Sequence, residues 1–503
     1  MLYVPTYVPN PLVQQNVFRG GNYEKTPLPL YKQERHKLPK PYWQGRDDVI
    51  DCYWKAWELT FRNLKQPEPD SGFTANYIDT AFNGCIFFYD TTFILMFANY
   101  AKHVFPFQRT LDNFYAKQHA DGFICRELTG LEGRDRFHRY DPSATGPNIM
   151  PWAEWEYYTA TRDVERIRQV FPALVSFHRW FRKYRTWPNG AYWATGWSSG
   201  FDNHPRHMGN VTEEDELYHH GHLTWVDTCI QQIFTARILV RMAETIGRED
   251  EVGDMKYEIE RLTAFVNENM WDDQSAFYYD LHPDQSRSTM KSVGAYWSLL
   301  ADIVPESNMQ RFIDHLENPA EFNRPHRIPA LSADHPRYRE DGDYWNGGVW
   351  TPTNYMVMKG LAANGFDRLA YEIGLNHLDN VVRVFNQTGT IWENYAPEIE
   401  SPGTPARPDF VGWGGLPAIA VLMEYVFGIR PNVADNRIVW HVNLLEEHGV
   451  RQYPFDTDGF LDLNCAARTT ADEKPIITAT GNKAVEIEIK WQGGTEMLTV
   501  HGQ

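Results

Sequence analysis

Two hydrophobic periods divide the chain. From about Asp47 to Gly428, apolar residues recur at steps of three and four, the spacing that keeps side chains on one face of an α-helix. In 223–243 the apolar set is Val226, Ile230, Ile233, Ala236, Val240 and Ala243. In 91–105 there are two sets, Phe93, Phe97, Tyr100, Val104 and Ile94, Ala98, Ala101, Phe105, so this helix is expected to be buried on two sides. The same spacing predicts helices at 48–64, 107–118, 151–161, 164–184, 252–269, 289–303, 308–317, 353–363, 367–385 and 415–426. After Gly428 the period drops to two. Val485, Ile487, Ile489 and Trp491 alternate with Glu486, Glu488 and Lys490, and Gly493-Gly494 then leads into Met497–Val500, the pattern of a β-hairpin.

The expected architecture is therefore mainly α. An extended, Pro- and Tyr-rich arm spans 1–45, a helical body 46–428 and a small β domain 429–503. Strands and helices do not alternate, which argues against a doubly wound sheet. Long loops rich in Trp, Gly, Pro and Asp separate the helices, and loops of that length in a compact body usually carry function.

Charge narrows the partners. A formal net charge of −18 argues against nucleic acid and anionic membranes, which need a basic surface. No segment approaches the roughly 20 apolar residues of a membrane span. The start, MLYVPTYVPNPLVQQ, has no basic residue leading into an apolar run, so no signal peptide is read and a cytoplasmic location is expected, with periplasmic or secreted alternatives. The five cysteines are scattered and form no C-x-x-C pair, which indicates neither a disulfide framework nor a zinc ribbon. No dinucleotide or phosphate-loop fingerprint occurs, and no cofactor is expected. With 18 Trp, 27 Tyr and 28 Phe, the chain has many rings that could stack on the apolar faces of a sugar, although most rings in any protein are core.

Residues 196–206, GWSSGFDNHPR, support two kinds of chemistry. Gly196-Trp197-Ser198-Ser199-Gly200 fits the G-x-S-x-G elbow that presents a nucleophilic serine. That elbow needs a strand before it and a helix after it, whereas Pro205 and a His-rich stretch follow here, so Ser198 reads as a loop residue. Asp202 gains weight from similar loops elsewhere: FFYDTTF (87–93), DGFICRE (121–127), PNIMPWAEWEYY (147–158), DYWNGGVWTPTNY (343–355), TIWENYAPE (390–398) and FVGWGGLP (410–417). Each joins a ring to a carboxylate, an amide or a glycine near a predicted helix end. Converging at one end of a helical barrel, they would line a pocket with rings and a few polar groups.

In this order, the stretches resemble the inverting glycosidase clan of glycoside hydrolase family 63, the mannosylglycerate hydrolases and family 37 trehalases, over roughly 80–427. The resemblance implies an (α/α)6 barrel and exo-acting, inverting hydrolysis of an α-glucoside or α-mannoside. It makes Asp202 the general acid and Glu393, in Trp392-Glu393-Asn394-Tyr395, the general base. It gives Asp90 and Arg206 sugar hydroxyls to hold, and Trp345, Trp350 and Trp413 the pocket wall. Phe88, Tyr89, Trp152, Trp197, Asn346 and Trp392 complete the expected binding set. Trp392 and Trp197 would desolvate the two carboxyls, which should face each other at about 6.5–9.5 Å. Two departures stand out: Tyr89-Asp90 where relatives often have W-D, and Tyr344-Trp345-Asn346-Gly347-Gly348-Val349-Trp350 where they often have Y-W-R-G-P-V-W. The second would remove a fixed positive charge from the pocket.

Other readings compete. Tyr218-His219-His220-Gly221-His222 lacks a recognised ligand spacing and reads as a polar loop, so no metal is expected. Glu213–Glu216 reads as a solvated acidic loop, and Asp456-Thr457-Asp458-Gly459 as a turn. A carbohydrate-binding protein without turnover, a sugar epimerase or isomerase using histidines, and a serine hydrolase using Ser198 are the alternatives to a glycosidase.

Overall fold

The computed structural model describes residues 10–206 and 217–502. The acidic run at 213–216 lies outside the described residues. Among the described residues, the main helices of the body are α1 (Asp47–Arg62), α2 (Phe88–Ala98), α3 (Thr110–Ala116), α4 (Met150–Thr161), α5 (Val164–Tyr184), α6 (Val226–Ile246), α7 (Gly253–Phe265), α8 (Glu306–Glu317), α9 (Thr351–Ala363) and α10 (Asp367–Thr388). Leu416–Val426 is wound as a π-helix, and short turns such as Gly196–Ser199 and Trp297–Leu300 fill the gaps.

Burial sorts these helices into two layers. In α2 only Tyr89 keeps appreciable exposure, and every residue of Leu416–Val426 is buried, as a helix surrounded by others requires. By contrast α1, α5, α8 and α10 bury one stripe and leave a polar face to solvent. Local signals set the ends. The Asp163 carboxylate accepts the Arg166 N–H at 2.8 Å and caps α5, and Arg182 and Lys183 lie in its last turn against the negative end of the dipole. Gly247 (φ 70°) and Gly389 (φ 73°) end α6 and α10 in the left-handed conformation that glycine adopts without strain.

Some expected boundaries shift. The helix expected over 91–105 ends at Ala98 and passes into a 3-10 turn at Asn99–Ala101. That expected over 289–303 shrinks to a 3-10 turn, Val293–Tyr296, and one α-turn, because Ser292 bridges Leu331 in extended conformation.

After the π-helix, seven strands follow: β2 (Ile429–Asn432), β3 (Arg437–His441), β4 (His448–Phe455), β5 (Gly459–Cys465), β6 (Ile477–Gly481), β7 (Val485–Trp491) and β8 (Gly494–Val500). Val485, Ile487 and Ile489 point inward, and β7 pairs with β8 through a two-residue connection at Gln492-Gly493. Asp456–Asp458 turns β4 into β5. One sheet has the order β8-β7-β3-β2, with β7 and β3 parallel. The other takes its edge strand from the opposite end of the chain. Lys40–Trp43 (β1) pairs antiparallel with β4, ahead of β5 and β6. The arm is thus stitched into the C-terminal sheet rather than simply laid over the body.

Candidate active site

A cavity of about 390 Å³ opens where α2, α9 and the π-helix begin. Phe88, Tyr89, Asp90, Trp197, Asp202, Trp345, Trp350, Glu393 and Trp413 line it, so nine of the expected residues come together. They reach it from distant parts of the chain because the first turns of buried helices, and the loops entering them, share one end of the body.

Four residues of the expected binding set lie elsewhere. Trp152 is the central pillar of the helical core, 5.6–5.7 Å from the rings of Phe93, Phe234 and Trp297 and stacked on Tyr355 at 6.3 Å. Arg206 is sealed in the interior. It holds both oxygens of Asp280 at 2.9 Å, bonds Asp227 and lies over the Trp225 ring at 4.2 Å, which leaves its charge no sugar hydroxyl to meet. Asn346 bonds the Asp343 carboxylate at 3.0 Å, and the Trp392 indole turns back to Thr388 at 3.0 Å. Two cations, Arg126 and Arg136, line the cavity from other loops.

Sequence reasoning missed Arg126, Glu127, Arg136, Phe137, Tyr344 and Phe410 as lining residues. Arg126, Glu127 and Tyr344 fall inside stretches already singled out; which of their side chains faces inward depends on the loop path. Cys85–Phe87 pairs with Glu127–Thr129 and delivers the Arg126-Glu127 pair, with Glu127 held by the Asn83 amide at 2.8 Å. The Arg126 guanidinium stacks over Phe137 at 4.4 Å and Trp197 at 5.4 Å.

Asp202 is placed by a one-turn helix and a glycine. Gly196–Ser199 is a capping-box turn, in which the Ser198 N–H donates to Thr195 Oγ1 at 3.1 Å and Ser198 Oγ accepts the Thr195 N–H at 2.7 Å. Ser198 is thus helical rather than a loop residue, and its hydroxyl is held within that cap. Gly200 then turns left-handed (φ 78°), and a Cβ there would meet the Tyr89 ring at 3.3 Å. Phe201, fully buried, packs on Trp345 at 4.6 Å and fixes the next residue, Asp202, at the cavity.

Glu393 lines the same cavity. It is 4% exposed, its Oε1 accepts the Tyr344 hydroxyl at 2.9 Å, and Arg407 Nε lies 3.7 Å from Oε2. Its carbonyl accepts the Trp413 indole N–H at 2.7 Å. Tyr344 and the preceding Asp343 both have positive φ (62° and 35°), a strain of roughly 1–3 kcal/mol each at non-glycine residues. Trp345 and Trp350 stack face to face, 3.9 Å apart, behind this turn.

Burial raises every carboxyl of the site that departs from its ordinary value. Desolvation lifts Asp202 to about 6, with Arg126 opposing. Desolvation lifts Glu393 to about 7, against the Tyr344 hydrogen bond and Arg407, while the charge of Asp202 adds to the rise. Asp90, in the first turn of α2, is raised well above its ordinary value by burial and, further, by the charge of Glu393. At neutral pH, Asp202 and Glu393 can therefore share one proton, the state in which one carboxyl donates while the other accepts.

The histidine stretch is more ordered than its spacing indicates. His219, His220 and His222 bring one potential ligand atom each within 4.8 Å of one another. Nδ1 of His219 and of His220 already accepts a backbone N–H, from Gly221 and His222 at 2.9 Å, so a cation held through those nitrogens has to displace both bonds.

Residues 106–407 match the family model of the mannosylglycerate hydrolase MGH1-like glycoside hydrolase domain. The chain belongs to this family. An uncharacterized protein of Borreliella burgdorferi is 25% identical over 434 residues, covering 82% of this chain and 86% of its own length. A probable mannosyl-oligosaccharide glucosidase of Schizosaccharomyces pombe is 24% identical over 289 residues, covering 51% of this chain and 34% of the relative. The crystal structure of a GH63 mannosylglycerate hydrolase from Thermus thermophilus in complex with glucose superposes with a TM-score of 0.59 at 19% identity, over 72% of this chain and 98% of that one. The likeness extends to the mainly α-helical core and identifies it as a family 63-type α/α toroidal fold; the small β region follows it in this chain.

Proposed function

We propose that this glycoside hydrolase removes a terminal α-linked glucose or mannose from a small glycoside, with inversion at the anomeric carbon. The observation that carries the reading is that Asp202 and Glu393, both lifted to the neutral range, line one ring-walled cavity. Asp202 protonates the leaving oxygen as the glycosidic bond breaks. Glu393 takes a proton from a water that attacks the opposite face. The Tyr344 hydroxyl and Arg407 stabilise Glu393 as the anion, the form a base needs. Asp90, at the mouth of α2, bonds sugar hydroxyls, and Trp197, Trp345, Trp350 and Trp413 cover the apolar faces of the ring. A volume of about 390 Å³ fits a terminal sugar with a short aglycone better than a polysaccharide run.

One observation favours a second reading. Both carboxyls, not one alone, are lifted to the neutral range, which also allows Glu393 as the acid and Asp202 as the base. Leaving-group dependence in the two carboxyl variants separates these assignments. A histidine-based epimerase is disfavoured because no histidine lines the cavity among the described residues. The serine reading is disfavoured by the bonds that hold Ser198 in its cap.

The helical body is read as an (α/α)6 barrel. Support comes from the inner elements: α2, α4, α6, Trp297–Leu300, α9 and Leu416–Val426 each pack on the next, and the last packs on the first. The units 1–45, 46–428 and 429–503 stand as one catalytic body with appended segments. Incubation with α-glucosides and α-mannosides, followed by the anomeric proton signal in early turnover, tests the function. Initial release of the β-anomer is expected; an α-anomer or no free sugar overturns it.

A further inference from the structure

We propose that Asn203 is a positioning residue that keeps the two carboxyls in register, by clamping the Asp202 loop to the turn whose tyrosine holds Glu393. This rests on the roles given above to those carboxyls. Asn203 follows Asp202 directly, and its amide spans to the facing loop. Nδ2 donates to the Asp343 carbonyl at 3.0 Å, and Oδ1 accepts the Trp345 N–H at 2.8 Å. A single orientation of the amide satisfies both bonds. They straddle Tyr344, whose hydroxyl is 2.9 Å from Glu393 Oε1. On the other side of Asp202, Phe201 packs on the same Trp345. Asp202 is thus flanked by two contacts to the segment that reaches Glu393.

The clamped residues need holding. Asp343 and Tyr344 are consecutive left-handed residues, a conformation their side chains disfavour. The Tyr344 N–H bonds the Thr404 carbonyl at 3.1 Å, and the Trp350 indole bonds the Tyr344 carbonyl at 3.2 Å. Those bonds fix the turn to its own side of the cavity; the Asn203 bonds tie it to the acid. Without them Asp202 and the Tyr344–Glu393 pair can move independently, and a misplacement of about 1 Å can cost about 100-fold in rate.

The groups facing Glu393 are Tyr344, Arg407, Asp202 and Asp90, and Tyr344 lies between the two clamp bonds. The test follows kcat, KM and the infrared carboxyl titration of Glu393, assigned by difference from Glu393→Gln, in the full-length chain. The set is wild type, Asn203→Ala, Asn203→Asp, Tyr344→Phe and the Asn203→Ala/Tyr344→Phe double variant. Asn203→Ala should lower kcat about 10–100-fold with KM within about twofold. It should also raise the titration point of Glu393 in the direction Tyr344→Phe does, and the double variant should go no higher than Tyr344→Phe alone, because both act through one hydroxyl. Asn203→Asp keeps the acceptor but sets a carboxylate against the Asp343 carbonyl. Its charge raises Glu393 as well. If Asn203→Ala does not fold, the measurement is therefore Asn203→Asp in the wild-type and Tyr344→Phe backgrounds, where the clamp requires a smaller shift in the second. An unmoved Glu393 titration overturns the proposal whatever the rate, as does a double variant whose shift is the sum of the two. If the wild type cleaves no α-glycoside while Asn203→Ala still moves the titration, the clamp stands and the hydrolytic reading falls.

Discussion

Replacing Asp202 with asparagine removes one proton from the shared pair while keeping its shape. With Asp202 at about 6 and Glu393 at about 7, the wild type should show a narrow bell in kcat/KM. The singly protonated pair peaks near pH 6.5 at about 60% of the enzyme and drops to about 10% at pH 5 and pH 8, two values that belong to the pair rather than to either residue. In Asp202→Asn the basic limb disappears, because no acid remains to be titrated. The limb that remains reports Glu393 alone, below its about 7 beside the Asp202 charge but not below the wild-type acidic limb near 6. On an unactivated glycoside, kcat should fall about 10²–10⁴-fold, the usual worth of general acid–base help. On a glycosyl fluoride, whose leaving group needs no proton, the loss should be far smaller. The assay is initial-rate release of free sugar across pH 4–9 from both substrate types, with Glu393→Gln beside it. Equal losses on both substrates for Asp202→Asn, with fluoride rescue in Glu393→Gln instead, would exchange the two roles. Full activity in both variants would refute the whole argument.

Four further outcomes follow from the same structure. Asp202→Asn should also be more stable than wild type above pH 6 and indistinguishable below pH 4. The folded carboxyl is raised above its ordinary 3.8, so the wild type loses stability as pH climbs through that interval; partial exposure cuts the effect to about 1–2 kcal/mol, readable in urea melts at both pH values. Arg206→Met leaves Asp227 and Asp280 buried without their cation and should cost about 3–5 kcal/mol in denaturant unfolding; intact stability with a raised KM would return Arg206 to the sugar. Trp152→Ala empties the centre of the helical core and should cost about 3–5 kcal/mol or leave the protein insoluble, whereas a cavity-wall ring would mainly raise KM. Ser198→Ala should retain activity within about tenfold, since it loses one capping bond; a loss near 10⁶ would revive the serine elbow.

Much was legible from local rules. The 3.6-residue period placed α5 at its observed limits and α1 and α10 within a few residues, because an amphipathic outer helix writes its buried stripe directly into the sequence. Alternation of Val485, Ile487 and Ile489 marked the final hairpin for the same reason. The carboxyls were legible differently, through the loops around Asp202 and Glu393 and the order of those loops along the chain.

Tertiary structure alone decided which side chains of those loops face inward. Trp152 and Trp345 look alike in sequence, a ring beside polar neighbours near a helix start, yet one is a core pillar and the other a cavity wall. Arg206 shares a motif with Asp202, but four residues of irregular backbone carry it into an ion cluster with Asp227 and Asp280. Tyr344 reaches Glu393 because Asp343 and Tyr344 adopt a left-handed conformation that no local propensity favours and that long-range bonds to Asn203 and Thr404 sustain. The pairing of Lys40–Trp43 with His448–Phe455 likewise joins residues some 400 positions apart. Periodicity records what a segment does with its own neighbours in sequence, so the chain by itself determined the helices and the hairpin, while the resemblance of its ordered loops named the candidate carboxyls. Contacts between distant segments are set by the packing of the whole, and these decided the cavity, its hydrogen bonds and the pKa values that make the acids useful.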